Sequence, residues 1–277
     1  MLHLKKMLSF VLLTVMIYSN SYAQNQVHLS VTYLPNHQYK QKIEQVFHMD
    51  MKFGGVKKKD ITSADLTTPT KTTASTHNES FIATGSLTND TAFPLKMTII
   101  KSIGADGSSV IPSGTLIYGN SSTNGHTTFD SLVAEGMDTK TKEKVFQLIK
   151  KLISQVTVPE HTMKIGEKYT HQLPLSIPVA GLSLNMIITS TYKLKSISNG
   201  KAYFDVKQVF SMSSDGMFAG FKATGSGKGT MVYNINERYY TTYNLDAVLN
   251  MSAKIQDKTM SLKMETSSTQ NIDISAN

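Results

Sequence analysis

The sequence predicts a mainly β protein, built as an antiparallel curved sheet or half-barrel with one amphipathic α-helix. Apolar and polar residues alternate along most of the chain, turn residues separate these runs, and one segment has helical periodicity instead. One-sided alternation is typical of antiparallel strands that cover a single core. Several runs exceed the usual strand length of about 5–6 residues, and long strands twist and coil, so we expect the sheet to curl.

The alternation is clearest in residues 239–255, where apolar residues dominate the odd positions and polar residues the even ones. Residues 182–194 and 201–206 show the same pattern. Between these two runs lies Asn199-Gly200, a strong hairpin signal because both residue types accept positive φ. The sequence therefore predicts a hairpin at this point.

Residues 139–156 are predicted to form the helix. Asp138 is a suitable N-cap, and cations near the helix end suit the helix dipole. A basic amphipathic helix can lie on an anionic membrane, but we favour packing on the sheet because the chain returns at once to strand. The apolar stripe is formed by Val145, Leu148, Ile149, Leu152, Ile153 and Val156.

The first residues of the chain predict export. Lys5 and Lys6 precede a short apolar run, and small residues then favour cleavage between Ala23 and Gln24. The alternative, an uncleaved anchor helix, fits poorly with so short an apolar core. The chain has no cysteine, so it has no disulfide and no lipidated cysteine. We expect a periplasmic or extracellular protein that is not a lipoprotein and has no transmembrane span after cleavage.

The domain organisation predicted from these patterns includes a weak internal repeat. Residues 87–93 resemble residues 197–203, and each segment follows one strand and opens another. Two similar β-units explain this likeness, and chance similarity is the alternative. The predicted segments are a signal peptide at 1–23, an N-terminal β-unit at 24–136 with a polar loop at 54–77, the helix and a linker at 137–158, and a C-terminal β-unit at 159–277.

The formal net charge of +8 invites a nucleic-acid-binding hypothesis, which the composition opposes. Arg238 is the only arginine, and arginine dominates base and phosphate recognition because its planar fork binds two acceptors at once. We therefore expect no nucleic-acid partner. The lysines fit either a solvated surface or an attraction to anionic lipid headgroups or acidic polysaccharide.

The sequence predicts no catalytic residue, no cofactor and no metal site. The segment 225–230 resembles the end of a phosphate-binding loop, but Lys222 stands where the motif needs glycine and Gly229 where it needs Ser or Thr. The histidines are not paired at metal-ligating spacings, and no nucleophile-elbow motif occurs.

A candidate ligand groove involves glycines and methionines of the C-terminal unit. Gly225, Gly227 and Gly229 fall on one face of a strand and leave bare backbone, which fits sheet curvature, close packing or ligand approach. Methionine is flexible and polarizable, so it suits a groove for varied apolar ligands, although it is also ordinary core filler. The candidate groove residues are Met186, Met212, Gly225, Gly227, Gly229 and Met251.

The order of motifs resembles a known group of proteins. The motifs are a signal peptide, residues 39–43 (Tyr-Lys-Gln-Lys-Ile), the helix, residues 163–169 (Met-Lys-Ile-Gly-Glu-Lys-Tyr), the Asn199-Gly200 turn and the glycine-rich strand. This order resembles a family of uncharacterised exported β-rich proteins of Gram-negative bacteria, a domain of unknown function. The resemblance implies an envelope location and a β fold with a helix, and it brings no catalytic residues.

Three functional hypotheses follow. The first is a non-enzymatic envelope protein that binds a hydrophobic, lipid-like ligand on the concave face of the sheet. The second is a structural or protein-interaction module of the cell envelope, which docks a partner through sheet edges or the polar loop. The third is a hydrolase with dispersed carboxylates, which a carboxyl group of raised pKa in a cleft would favour.

Overall fold

The computed structural model of the protein describes residues 25–54, 70–109, 111–155, 160–179, 182–214, 222–255 and 258–277. The predicted signal peptide and its cleavage site between Ala23 and Gln24 lie outside these residues. In the described part of the chain, no helix is both long enough and apolar enough to cross a membrane.

Thirteen strands and one helix form in these residues. The strands are β1 (Gln26–Leu29), β2 (His37–Gly54), β3 (Thr70–Thr84), β4 (Ala92–Ile103), β5 (Leu116–Ser122), β6 (Thr127–Val133), β7 (His161–Lys164), β8 (Lys168–Val179), β9 (Leu182–Ser198), β10 (Lys201–Ser214), β11 (Lys222–Asn234), β12 (Tyr239–Ile255) and β13 (Lys258–Ala276). The helix, α1, is Thr139–Gln155.

Eleven of these strands form one antiparallel sheet in the order β6-β5-β4-β3-β2-β13-β12-β11-β10-β9-β8. Its two edge strands are β6 and β8, so the sheet is open and is not closed into a barrel. The predicted mainly β class, with an antiparallel curved sheet and one helix, is confirmed. Both predicted β-units contribute to this one sheet, since β2 pairs with β13.

The remaining two strands, β1 and β7, pair with each other and form a ribbon that packs on the sheet. Val27, Leu29 and Met163 of the ribbon are completely buried. They form one hydrophobic cluster with residues of β9, β10 and β11, among them Phe204 and Tyr233. The ribbon therefore covers one end of this part of the sheet.

A polar network attaches the ribbon end to the turn between β11 and β12. Ser30 Oγ donates a hydrogen bond to Glu160 at 2.6 Å, and Arg238 donates one to Ser30 Oγ at 2.8 Å. Arg238 and Glu160 also form an ion pair at 3.6 Å. Tyr233 Oη donates to the Ser30 carbonyl oxygen at 2.8 Å. The only arginine of the chain thus connects the β11–β12 turn to the ribbon end.

The helix begins as the sequence predicts. Asp138 caps it, because its carboxylate accepts a hydrogen bond from the backbone N–H of Thr141 at 3.0 Å. Val145, Phe146 and Ile149 pack against a second hydrophobic cluster formed by β2–β6 and β13. The helix contacts both β6 and β8, the two edge strands, so it lies across the open side of the sheet.

The predicted Asn199-Gly200 hairpin is confirmed. Asn199 and Gly200 have φ values of 51° and 71°, and Ser198 pairs with Lys201 across the turn. Two positive φ values in a two-residue loop define a type I′ turn, whose twist matches that of the strands. The similar segments 87–93 and 197–203 span the connection from β3 to β4 and the turn from β9 to β10 respectively, and each runs into the strand that follows.

The predicted polar loop at residues 54–77 is wrong over residues 70–77. These residues belong to β3, which pairs with β2 from Met51 opposite Thr70 to Gln38 opposite Ala83. The apolar period is missing because Thr72 and Thr76 share one face of β3 with Ala74. Of these three residues, Ala74 is the one that is apolar and buried. Residues 55–69 lie outside the described residues.

Candidate functional site

The sheet bends sharply between β11 and β12, and glycines permit the bend. Gly225 and Gly229 lie opposite Leu249 and Leu245 of β12. A Cβ atom on Gly225 would lie 3.1 Å from Leu249 Cα and would collide with the Val248 carbonyl oxygen. Side chains normally stand away from the neighbouring backbone, so β12 folds over towards the face that carries these glycines.

Two further observations identify this face as the concave one. Cα atoms of β10 and β12 approach within 8 Å, although two strand spacings in a flat sheet measure about 9.6 Å. Gly119 lies on the same face of β5, and a Cβ atom there would lie 3.0 Å from Phe129 Cα of β6. The ribbon, α1 and both hydrophobic clusters also lie on this face.

The three methionines predicted for the groove lie in one row across the concave face. Their side chains are half-buried, and neither hydrophobic cluster of described residues includes them. Successive strands contribute one residue each, so the row crosses five strand spacings, about 24 Å. The methionine row is Met186, Met212, Ala223, Met251, Leu262 and Met51, on β9, β10, β11, β12, β13 and β2.

A second apolar row lies beside the methionine row, closer to the ribbon. Its members come from the same six strands, and Leu249 is its most buried apolar side chain, at 9% exposure. Gly225 interrupts the row with bare backbone at the bend. The row is Ile188, Phe210, Gly225, Leu249, Met264 and Met49.

A band of uncharged polar side chains follows, between the apolar rows and the two clusters. Gln208 Nε2 donates hydrogen bonds to Ser190 Oγ and Tyr243 Oη, both at 3.1 Å. Thr76 Oγ1 donates to Gln45 Oε1 at 3.3 Å. The polar band is defined as His171, Ser190, Gln208, Thr266, Ser268, Gln45 and Thr76, and Gly227 and Gly229 lie within it.

Two buried polar atoms of the polar band have no hydrogen-bond partner among the residues that the structure describes. They are His171 Nδ1 and Thr266 Oγ1. Both residues lie in one register row, which runs from His171 through Ser190, Gln208 and Gly227 to Thr266. Buried polar atoms in folded proteins nearly always have a partner, so water or a bound molecule can supply one at these two positions.

Charged residues are confined to the convex face. Between the methionine row and the register row that contains Tyr39 of β2, the described strands of the large sheet place no Asp, Glu, Lys or Arg on the concave face. Strand β2 shows the separation best. Its convex residues include Lys40, Lys42, Glu44, Asp50 and Lys52, and its concave residues are Gln41, Ile43, Gln45, Phe47, Met49 and Met51.

The end of the concave face near the ribbon is closed by aromatic side chains. Tyr240 packs against both hydrophobic clusters and so joins them. Burial raises the pKa of Tyr39 and that of Tyr240 to about 12. Tyr33 stacks on Tyr239 with ring centroids 5.3 Å apart. The concave face thus has a closed tyrosine end, a polar middle and an apolar end.

The convex face carries a cavity of about 440 Å³ over β11, β12, β13 and β2. Lys228, Asp246 and Glu265 contribute to its lining. The hydrogen bond from Lys263 lowers the pKa of Glu265, with the two groups 2.6 Å apart. General-acid catalysis needs a raised carboxyl pKa. Among described carboxyl groups with a shifted pKa, all are lowered: Glu44, Asp106, Asp138, Glu160 and Glu265.

The structure also locates the residues considered for cofactor and metal binding. Residues 225–230, which resemble a phosphate-binding loop, lie inside β11, whereas phosphate binding uses a loop that opens a helix. Among the described side chains, no group of three or more metal ligands comes together.

Sequence reasoning missed most of the candidate site. It did not include Met49 and Met51 of β2, nor Gln208 and Thr266 of the polar band. The signal for β2 was present, because its uncharged odd positions alternate with charged even positions. The polar band had no comparable signal, since Gln, Ser and Thr also occur on exposed strand faces.

Comparison with protein-family models found no match, and comparison with curated proteins found none either.

Proposed function

We propose that the protein is a non-enzymatic envelope protein that binds a hydrophobic, lipid-like ligand on the concave face of its sheet. The observation that carries the proposal is the methionine row, which is free of charge across six strands and half-buried at every position except the buried Ala223. The proposed location rests on the predicted signal peptide of residues 1–23. Ligand binding here needs no catalytic group.

The size and chemistry of the row suit an acyl chain. Its length of about 24 Å exceeds the depth of one bilayer leaflet, about 15 Å, so a lipid chain can lie along it. Methionine side chains adapt to ligands of varied shape because they are unbranched and polarizable. Burying the half-exposed apolar side chains under a hydrocarbon chain is favourable by about 25 cal/mol per Å².

Binding of the neutral fluorescent probe N-phenyl-1-naphthylamine tests the proposal. Met186→Asp and Met251→Asp each place a charge in the apolar row, and desolvating that charge opposes ligand binding. We expect the affinity for the probe to fall by about tenfold or more, equal to about 1.4 kcal/mol, while thermal unfolding shows an intact fold.

The matched control is Val209→Asp, which adds the same charge to the convex face, where Val209 is 55% exposed. This variant should bind the probe as the parent protein does. Unchanged probe binding by Met251→Asp would contradict the proposal. Unfolding of that variant would show that Met251 is a core residue, and the milder Met212→Gln should then also unfold the protein.

A further inference from the structure

We infer that the ligand of the concave face is an uncharged amphiphile, whose neutral hydrogen-bonding group meets the polar band while its hydrocarbon part lies on the two apolar rows. The hydrogen-bonding group is a hydroxyl, an amide or an ester. This inference rests on the proposed function and adds the chemical class of the ligand.

Charged residues are separated between the two faces of the sheet. A carboxylate or an ammonium group inside the concave face would find no opposite charge on the described strands of the large sheet between the methionine row and the register row that contains Tyr39. Removing an ion from water without a partner costs far more than removing a neutral amide or hydroxyl. The concave face therefore selects against charged head groups.

The unpartnered Thr266 hydroxyl matches a neutral hydrogen-bonding group. Thr266 Oγ1 can both donate and accept a hydrogen bond, and it is buried without a partner. A ligand hydroxyl or amide can both donate and accept as well, so either matches this atom. An ester, which only accepts, matches the hydroxyl donor of Thr266. Such few, placed polar groups typically orient a ligand in an apolar site.

His171 supplies a neutral partner in the same register row. Its ring is stacked against Tyr192, with parallel planes and centroids 5.7 Å apart. Burial lowers the pKa of His171, so the imidazole is neutral at neutral pH and brings no positive charge to the face. Its buried Nδ1 has no partner in the described chain, but His171 lies five strands away from Thr266 in this row, so one ligand group does not reach both.

The apolar rows, the polar band and the tyrosine end follow one another along the strands. The polar band lies between the apolar rows and the closed tyrosine end. A ligand with a polar group at one end and a hydrocarbon chain at the other can satisfy both regions at once. A plain hydrocarbon would leave the Thr266 hydroxyl without a partner.

Three ligands with the same chain test this inference, namely dodecanamide, dodecanoate and dodecylammonium at neutral pH. Each competes against N-phenyl-1-naphthylamine on the full protein, below its micelle concentration. We expect dodecanamide to displace the probe at a concentration about tenfold or more below those of both ions. Equal or tighter binding of dodecanoate or dodecylammonium would overturn the inference.

Thr266→Val locates the recognition, because it removes the hydroxyl and nearly keeps the shape. We expect it to weaken dodecanamide about fivefold or more and to leave dodecanoate unchanged, since one buried hydrogen bond is worth about 1 kcal/mol. Thr224→Val, on the exposed convex face of β11, is the matched control. Thr266→Val would overturn the inference if it weakened the binding of dodecanamide and dodecanoate equally. Unchanged dodecanamide binding in both Thr266→Val and Gln208→Leu would overturn it as well.

Failure of the inference and failure of the proposed function give different results. If neither the probe nor any dodecyl compound binds, the proposed lipid-like binding itself fails. If all bind but the neutral amide has no advantage, only the inference about the head group fails.

Discussion

Gly225 lies directly opposite Leu249, and a Cβ atom on Gly225 would lie 3.1 Å from the Leu249 Cα atom. A Cβ atom there would also collide with the Val248 carbonyl oxygen, so the bend between β11 and β12 depends on glycine. The bend makes one face of the sheet concave, and that face carries the apolar rows and the polar band. Curvature and the candidate site therefore have one cause in the sequence.

Replacing a bend glycine should destabilise the protein. Gly225→Ala would force backbone movement against Val248 and Leu249, and overpacking of this kind costs about 1–3 kcal/mol. Urea unfolding measures the loss. Gly54→Ala is the control, because a Cβ there would have an ordinary contact of 3.7 Å with Thr259. Equal stability of the two variants would show that the bend does not require glycine.

Removing one hydroxyl should loosen the ribbon. Tyr233→Phe loses the hydrogen bond to the Ser30 carbonyl oxygen, which is 2.8 Å away in a buried setting. Leaving a buried acceptor with fewer partners costs about 1–3 kcal/mol, measured by urea unfolding. Tyr203→Phe, on an exposed residue, is the control and should have little effect. A stability of Tyr233→Phe equal to that of the parent protein would contradict the role of this network.

Removing the helix cap should weaken α1. Asp138→Ala loses the acceptor for the Thr141 N–H and should lower the free energy of unfolding. Asp138→Asn keeps an N-cap acceptor and should lose much less. Because α1 crosses the open side of the sheet, hydrogen exchange at the edge strands β6 and β8 should also rise in Asp138→Ala. Unchanged exchange there would show that the helix does not secure the edges.

Stability should fall with acidification through His171. Burial lowers the pKa of this imidazole in the folded protein below its ordinary 6.5, so the unfolded chain binds its proton more tightly. The contribution of His171 is therefore complete above about pH 6.5 and is lost as the pH falls towards the lower folded pKa. Urea unfolding at about pH 7.5 and about pH 5 measures it.

The control for the pH prediction is His171→Gln, which cannot take up a proton. Its stability should fall less between the two pH values than that of the parent protein. An equal fall in both proteins would mean that other groups account for the whole pH dependence.

Sequence periodicity predicted the elements that depend only on residues close together in the chain. Asp138 before the helical stripe and Asn199-Gly200 between two alternating runs each act within a few residues, and both are confirmed. The one-faced alternation of residues 239–255 likewise predicted a strand of the curved sheet. These features depend on neighbours in sequence, which is why the sequence alone reveals them.

The missed features depend on neighbours across the sheet. Strand β3 looked like a polar loop, since inward positions such as Thr72 need not be apolar beside the open part of the concave face. The polar band likewise requires the register that brings His171 and Thr266, from opposite ends of the C-terminal unit, into one row. Local periodicity does not predict which residues of distant strands lie in one register row.

Native mass spectrometry of the protein purified from its native host tests the central claim most directly. Solvent extraction of the same sample identifies any bound molecule. We predict a lipid-like compound bound in stoichiometric amount, with an uncharged hydrogen-bonding head group. A mass equal to that of the bare chain, unchanged after incubation with envelope lipids, would contradict the claim and favour a protein-interaction module instead.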